Sequence, residues 1–546
     1  MNENVIYNLE CTDMNHEGLG VVKKDGFPIF VPNLIKGEQA KIKVTKINKS
    51  YGLGEVVEII NESKSRVKPI CKHFLKCGGC DLMHLDYKTQ LDFKLSMANA
   101  TFQRIGHLDF KIKNIIGMDQ DLNGNIIKPN YYRNKVQIPF GMKGSKVTCG
   151  FYKKKTHEII DLDECFIQPK LSTEIGRLVK NIMNDLNLSC YDEKNKRGCV
   201  RHVIIRKTVN NEYMIIFVVF DDSKSNIDKL KELTIRITNR YSEIKSVILN
   251  VNKKTTNVIL GDSSKTLYGT DVLIENILGL NFKLSHKAFF QINHTQTEKL
   301  YSKAIEYANI KEEDVVLDCY CGVGTISLLA ATKAKKVYGI EVVDEAIKDA
   351  IENSKLNNIN NAEFIVGKAE EEILKFKDKL IDVMIVDPPR KRLDINVINT
   401  IIEKQIDKIV YVSCDIATLA RDLQLLEEKY EIKDVTLVDM FPQTADVETV
   451  VLLSRKKVND RINFDINIEA LPDRVSKTAT YAEIKAYVLE HYGLKVSSLY
   501  IAQIKEKHGI KERENYNIGE GKSKELICPP EKEEAITNAL KHFNMI

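Results

Sequence analysis

Tryptophan is absent from the 546 residues, which by itself excludes nothing. Long apolar runs are absent too. None approaches the roughly 18 residues that a membrane-spanning helix needs, so a helical membrane protein is excluded. The N-terminus has no apolar core of a secretory signal, and the expectation is a cytoplasmic protein with no membrane partner. A large excess of one charge is also missing. Eighty-one basic residues against 76 acidic ones leave a net charge of +5, so any affinity for nucleic acid must come from local patches. Disulfides are not expected: in a reducing compartment the twelve cysteines should be thiols, metal ligands or nucleophiles.

What is present is an ordinary globular composition, 43% apolar and 29% charged, spread over a chain too long for a single core. Three or four domains are expected. Residues 1–62 carry short alternating apolar stretches punctuated by glycine, among them Gly18-Leu-Gly-Val-Val-Lys23, Phe27-Pro-Ile-Phe-Val31 and Ala40-Lys-Ile-Lys-Val44. Strands at that spacing predict a small β-barrel. Then comes Cys71-Lys-His-Phe-Leu-Lys-Cys77-Gly-Gly-Cys80, three cysteines within ten residues and a tight turn. This reads as a ligand loop, with Cys165 as the best fourth ligand. Zinc would accept four thiolates, or would take His73 or His84 instead. Between Lys128 and His157 lie eight Lys/Arg residues and no acid, with Tyr131, Tyr132, Phe140, Phe151 and Tyr152 interleaved; a second acid-free basic segment runs from Lys194 to Lys207. Rings among cations predict an RNA surface, because bases stack on rings while Lys and Arg neutralise phosphates.

From about residue 281 the pattern changes to alternating strands and helices, the signature of a doubly wound α/β domain. The strand Val315-Val-Leu-Asp318 is followed by Cys319-Tyr-Cys-Gly322-Val-Gly324-Thr325 and a helix, and Glu341 ends the next strand. Glycines at such a turn let a ligand approach the backbone, and an acid there suits the paired hydroxyls of a ribose. A dinucleotide site would need a third glycine at position 327, which is serine. Two further strands end in Asp387-Pro-Pro-Arg-Lys391 and in Val412-Ser-Cys414, and Asp446-Val-Glu-Thr-Val-Val451 follows. The carboxyl edge of such a sheet is where ligands and chemistry are placed. A lone cysteine there is usually a small buried apolar residue, but this one has acidic company.

Together with Phe289-Phe-Gln-Ile-Asn293, these stretches resemble the RNA uracil-5-methyltransferases over residues 1–456, and the N-terminal strands resemble the TRAM domain, an OB-like RNA-binding barrel. The resemblance implies Cys414 as nucleophile and Glu448 as base. It also implies S-adenosyl-L-methionine enclosed by Phe290, Gln291, Tyr320, Gly322, Gly324, Glu341 and Asp387. The cysteine spacing is similar to the iron–sulfur branch of that family, which implies a structural [4Fe-4S] cluster on Cys71, Cys77, Cys80 and Cys165. That branch acts mostly on 23S rRNA and the branch lacking it on tRNA, so 23S rRNA is the expected partner, tRNA the alternative, and a monomer the expected state. Arg392 stands where the family usually has glycine, and Asp446 where it usually has histidine. An RNA cytosine-5-methyltransferase would show Pro-Cys and Thr-Cys, which are absent. A radical S-adenosylmethionine enzyme would want its first two cysteines four positions apart, not six.

The expected fold is therefore multi-domain: an OB-like barrel (1–62), a mixed α/β central domain bearing the cluster and an RNA face (63–280), a Rossmann-like methyltransferase domain (281–456) and a small helical extension (457–546). In the last, Thr480-Tyr-Ala-Glu483 predicts a capping box, Ser497 or Ser498 a second helix start, and Pro529-Pro-Glu531 a third. Its fourteen acids and fourteen bases leave an RNA or a protein partner equally open.

Overall fold

The computed structural model describes residues 2–256, 258–376, 381–390, 392–456, 479–508, 510, 528–543 and 545–546. The chain forms two compact units, Met1–Lys457 and Val458–Ile546.

The first five strands close into a barrel in the order Ile6–Met14, Gly20–Lys24, Phe27–Val31, Gly52–Asn61, Gln39–Ile47. Alternate residues point inward, so Val22, Ile29, Val31, Ala40, Ile42 and Val44 fill the interior. Arg66 closes the barrel onto the following segment: its guanidinium grips both oxygens of the buried Glu38 carboxylate at 2.6 and 2.7 Å.

A seven-stranded sheet follows, in the order Ser263–Gly269, Ile244–Val251, Tyr213–Val219, Val200–Lys207, Lys135–Lys143, Lys146–Tyr152, Ile159–Asp161. The helices Lys170–Asp185 and Lys224–Arg240 cover one face through Ile175, Val179, Leu230 and Leu233. The other face packs Ile204, Ile216 and Val218 against Phe282, Phe290 and Leu300 of the next layer. With both faces covered, the strand Tyr213–Val219 is apolar at every position and buried at every position.

The eight-stranded sheet runs Ala362–Val366, Lys336–Glu341, Val315–Cys319, Val383–Val386, Lys408–Ser413, Glu448–Arg455, Tyr430–Val438, Asn114–Ile116. The first five strands are mutually parallel, and Glu448–Arg455 enters antiparallel between Lys408–Ser413 and Tyr430–Val438. The edge strand comes from well ahead of residue 280, where the α/β domain is expected to begin. Asn114–Ile116 pairs with Tyr430–Val438, and the helix Tyr87–Arg104 sinks Ala98 and Phe102 into the same core as Leu419 and Ala420. An early segment thus covers an edge that would otherwise present unpaired backbone groups.

The second unit contains the helices Tyr481–Tyr492, Ser498–Lys507 and Pro530–His542, opened by the Thr480–Glu483 capping box, by Ser497 and by Pro at the first turn. Ile484, Val488, Ile501, Ile536 and Leu540 form its own small core. Among the described residues, no helix is long and apolar enough to cross a membrane.

Candidate active site

Register places the predicted residues together. Cys319 pairs with Val386, Val386 with Tyr411, and Ser413 with Thr449. Tyr320, Asp387, Cys414 and Glu448 therefore all emerge at one edge of the sheet, the carboxyl edge of its parallel strands. Cys414 occupies the turn between the strand Lys408–Ser413 and the helix Ile416–Leu426, whose N-cap Asp415 accepts from the backbone of Ala417 and Thr418 at 2.9 Å each. The Ser413 hydroxyl donates to the Asp415 carbonyl at 3.0 Å and accepts from its N–H at 3.2 Å, fixing that turn from both sides.

Acidic groups crowd this edge, and Arg390 is set among them. Burial pushes the Cys414 thiol up to about 11, Glu448 and Asp387 add to this, and Arg390 opposes it through charge and a hydrogen bond. Burial also carries Glu448 up to about 8; Asp387 and Asp446 reinforce the shift while Arg390 counters it. Glu448 is 2% exposed, and one of its carboxylate oxygens has no hydrogen-bond partner among the described residues. Asp387 is raised to about 7 by burial. A buried carboxylate with an unsatisfied oxygen is costly, and such groups concentrate at functional sites.

The loop that carries Asp387 and Arg390 is held from behind. Asp422 accepts from the Leu393 N–H at 2.9 Å and from the Tyr411 hydroxyl at 2.7 Å. Arg392, where the family usually has glycine, lies in the left-handed region at φ 76°, the conformation that favours glycine.

The predicted cofactor residues line the neighbouring strand ends. Gly322 and Gly324 have φ 54° and 82°, and a Cβ on Gly324 would meet the Phe364 ring at 3.0 Å. A Cβ on Gly322 would meet nothing within 4 Å, which leaves open room above that turn. Tyr320 is itself left-handed at φ 67°. The Glu341 carboxylate accepts from the backbone of Gly322 at 3.2 Å and of Val343 at 3.0 Å, so it shapes the turn and keeps further lone pairs free to accept. Phe290 and Gln291 are buried, with Phe282 edge-to-face on Phe290 at 6.3 Å; Phe289 points outward, 72% exposed.

Sequence reasoning missed three members of this neighbourhood. Asp318 is buried under the glycine turn, held by the Ser327 hydroxyl at 2.5 Å, and burial raises it to about 7. Tyr301 lies buried among Asp387, Glu448, Asp318 and Gln291. Arg390 is given no role in a reading of the sequence. Its one available signal is that a cation follows Asp-Pro-Pro directly.

The cysteines converge at a second place. Cys71, Cys77, Cys80 and Cys165 line one cavity of about 80 Å³ together with His73, Arg133 and Phe166. Burial raises Cys77, Cys80 and Cys165; the other thiols add to this, and Arg133 opposes it at Cys77 and Cys80. All twelve cysteines are free thiols. Among the described residues, no three His, Cys, Asp or Glu side chains stand close enough together to hold a single metal ion. His84 is not part of this cavity. It is buried with neither ring nitrogen bonded among the described residues, and burial holds it down at about 4.

The aromatic residues of the basic run divide. Tyr132 and Phe140 are buried, Tyr132 donating to the Pro442 carbonyl at 3.0 Å, so they are unavailable to RNA; Tyr131, Phe151 and Tyr152 remain partly exposed.

A family model described as tRNA (Uracil-5-)-methyltransferase matches residues 127–456, and a TRAM domain model matches residues 5–57. An RNA methyltransferase of Oceanobacillus iheyensis is 44% identical over 464 residues, covering 84% of this chain and 98% of that protein. Another from Clostridium acetobutylicum is 44% identical over 455 residues, covering 82% and 97%. Among solved structures, the Pyrococcus abyssi tRNA (uracil-54, C5)-methyltransferase in complex with S-adenosyl-L-homocysteine is similar with a TM-score of 0.65 and 27% identity, over 82% of this chain and 99% of that one. An open α/β sheet with a cysteine, two carboxylates and an arginine at its carboxyl edge, joined to a closed N-terminal barrel, is thus accounted for: the chain belongs to the tRNA (uracil-5-)-methyltransferase family of S-adenosylmethionine-dependent RNA methyltransferases and carries a TRAM domain ahead of the catalytic part.

Proposed function

We propose that this enzyme methylates carbon 5 of a uridine in 23S rRNA through a covalent adduct with Cys414. The observation that carries the reading is the meeting of Cys414, Glu448, Asp387 and Arg390 at one sheet edge beside the open glycine turn. Carbon 5 of uracil is a poor nucleophile while the ring stays conjugated. The Cys414 thiolate forms a bond to carbon 6, and the displaced π electrons make carbon 5 an enolate carbon. Arg390 favours the thiolate by charge and hydrogen bonding. S-adenosylmethionine, when bound, supplies the methyl group. Glu448 as carboxylate then takes the proton from carbon 5; the C–H electrons restore the double bond and expel the thiolate. The target base must leave its stack to reach both side chains.

Phe290, Gln291, Tyr320, Gly322, Gly324, Glu341 and Asp387 are assigned to the methyl donor: the turn glycines for close approach, Glu341 for the ribose, and the buried Phe290 and Gln291 for enclosure. Cys71, Cys77, Cys80 and Cys165 are assigned to a [4Fe-4S] cluster. What supports this is the cysteine spacing together with the four thiols lining one cavity, since clusters of this kind are held by four thiolates. The protein acts in the cytoplasm as a monomer. A second reading, a tRNA uridine as target, draws on the Pyrococcus abyssi tRNA (uracil-54, C5)-methyltransferase, which resembles this chain over nearly its whole length. Mapping 5-methyluridine in 23S rRNA and in tRNA from cells lacking this protein decides between them. Loss of one rRNA modification is expected; loss confined to tRNA would replace that target, and loss from neither would remove the reading.

A further inference from the structure

An open groove of about 500 Å³ lies outside the active site, between the cysteine loop and the hairpin that joins Lys146–Tyr152 to Ile159–Asp161. Cys77, Gly78 and Gly79 line it from the loop; from the hairpin come Tyr152, the three consecutive exposed residues Lys153, Lys154 and Lys155, and His157, with Phe151 and Thr156 beside them. The hairpin is built onto the loop by its backbone. Cys77 bridges to Lys153, the Lys154 N–H donates to the Lys76 carbonyl at 3.0 Å, and the Gly78 N–H donates to the Tyr152 carbonyl at 3.3 Å. The Tyr152 and His157 rings stack on one another, centroids 5.3 Å apart and planes 28° from parallel.

Resting on the reading of the protein as an RNA methyltransferase, we propose that this groove seats an unpaired nucleotide of the substrate RNA. The base lies against the Tyr152–His157 ring pair, and the flanking phosphates lie on the lysines. Three features favour RNA. The hairpin closes an acid-free run of eight cations, which complements a phosphate chain. The carboxylates that pair with the groove's cations lie outside its lining and are held in solvent-accessible pairs, Lys153–Glu158 at 3.6 Å, Lys154–Asp81 at 3.0 Å and His157–Glu193 at 3.1 Å. Exposed pairs of this kind are weak, so phosphate can displace them at little cost. Lys155, left-handed at the hairpin tip with φ 61°, has no carboxylate partner among the described residues. The ring pair favours an unpaired nucleotide over a duplex, whose base faces are already stacked.

The test uses the full chain and a fluorescein-labelled RNA about 12 nucleotides long, of adenines and cytidines only, within the span that a single-strand groove covers. That probe contains no methylation target, so the outcome is independent of whether uridine is the substrate. Fluorescence anisotropy should show tighter binding of this single strand than of the same sequence in duplex. His157→Ala should weaken single-strand binding about tenfold through lost stacking. Lys155→Gln should lower the slope of log K against log salt by about 0.7, one phosphate contact on a single strand. Both side chains are exposed, and unchanged S-adenosylmethionine binding by calorimetry would establish that the variants are folded. Unchanged affinity and salt slope in folded variants, preference for the duplex, or equal competition by polyglutamate of matched charge would each overturn the proposal.

Discussion

At the scale of single residues, the decisive question is the order in which Cys414 and Glu448 act. Cys414→Ala should abolish both methylation and covalent attachment, since no step begins without the thiolate. Glu448→Gln should stop later, because thiolate attack and methyl transfer precede the need for a base. The variant should accumulate a protein–RNA adduct with an already methylated ring, stable to denaturing electrophoresis and dependent on S-adenosylmethionine. Normal turnover by Glu448→Gln would move the base elsewhere, and a folded variant that binds RNA yet forms no adduct would place Glu448 before methyl transfer. A second prediction follows from burial. Glu448 ionises near 8 in the fold against 4.5 for a free glutamate, so its contribution to stability is full below about 4.5 and is lost as pH rises through 8. The amide in Glu448→Gln cannot ionise. The variant should therefore gain stability on the wild type steadily between about pH 5 and 8, by at most about 1.4 kcal/mol for each step of one in pH. Melting temperatures of the two proteins across that range check this, and a constant difference would mean that Glu448 is not raised. Catalysis should run the other way, rising with pH as Glu448 and Cys414 ionise.

At the scale of elements, the helix Tyr87–Arg104 does more than cover a sheet edge. Tyr87, Gln90 and Lys94 fall on one face at helical spacing and all reach the segment 439–443 that leads to Glu448. Tyr87 donates to Asp439 at 2.7 Å, Lys94 donates to the other oxygen of Asp439 at 2.5 Å and to the Phe441 carbonyl at 3.1 Å, and Gln90 exchanges hydrogen bonds with Gln443 at 3.0 and 3.1 Å. Lys94 and Asp439 are both fully buried. Breaking a buried pair leaves a charge without compensation, and the usual cost is about 3–5 kcal/mol. Lys94→Met should lower stability by that amount in denaturant titration. It should also slow methylation more than it weakens S-adenosylmethionine binding, because the disturbed segment leads directly into Glu448. A loss below about 1 kcal/mol, the range of exposed pairs, would show that water reaches this one.

At the scale of the whole molecule, the cysteine cavity joins parts of the chain that are distant in sequence. Its loop is backbone-bonded to the lysine hairpin, and the N–H groups of Asp81 and Leu82 both donate to the Gln443 carbonyl at 2.9 Å. Protein purified without oxygen is expected to be brown with broad visible absorption, and to contain iron and sulfide. Removing the iron by chelation should lower the melting temperature and the RNA affinity while largely sparing affinity for the methyl donor. An active, colourless preparation with one zinc per chain would replace the cluster by zinc. The match to the relatives spans 81–84% of this chain and 97–98% of theirs, and the family model ends at residue 456, ahead of the unit Val458–Ile546.

Local chemistry was legible in the sequence because it is written in short spacings. The glycine turn after Val315-Val-Leu-Asp318, the cysteine after a buried strand, the paired cysteines around Gly78-Gly79 and the Thr480–Glu483 capping box each depend on residues within a few positions of one another. The alternation of strands and helices likewise determined the α/β class and the edge at which Cys414 and Asp387 emerge. Tertiary structure decided what depends on long-range pairing. It sent Tyr132 and Phe140 inward from a run that reads as a ring-bearing surface, since a basic segment in a covered sheet has one face turned to the core. It brought Asn114–Ile116 to the far edge of a sheet whose next strand along the chain starts only at Val315. It also set Arg390 against Cys414 and buried Glu448 without a full set of partners. Burial and proximity fix the protonation of these groups, and neither exists until strands from separate parts of the chain lie side by side.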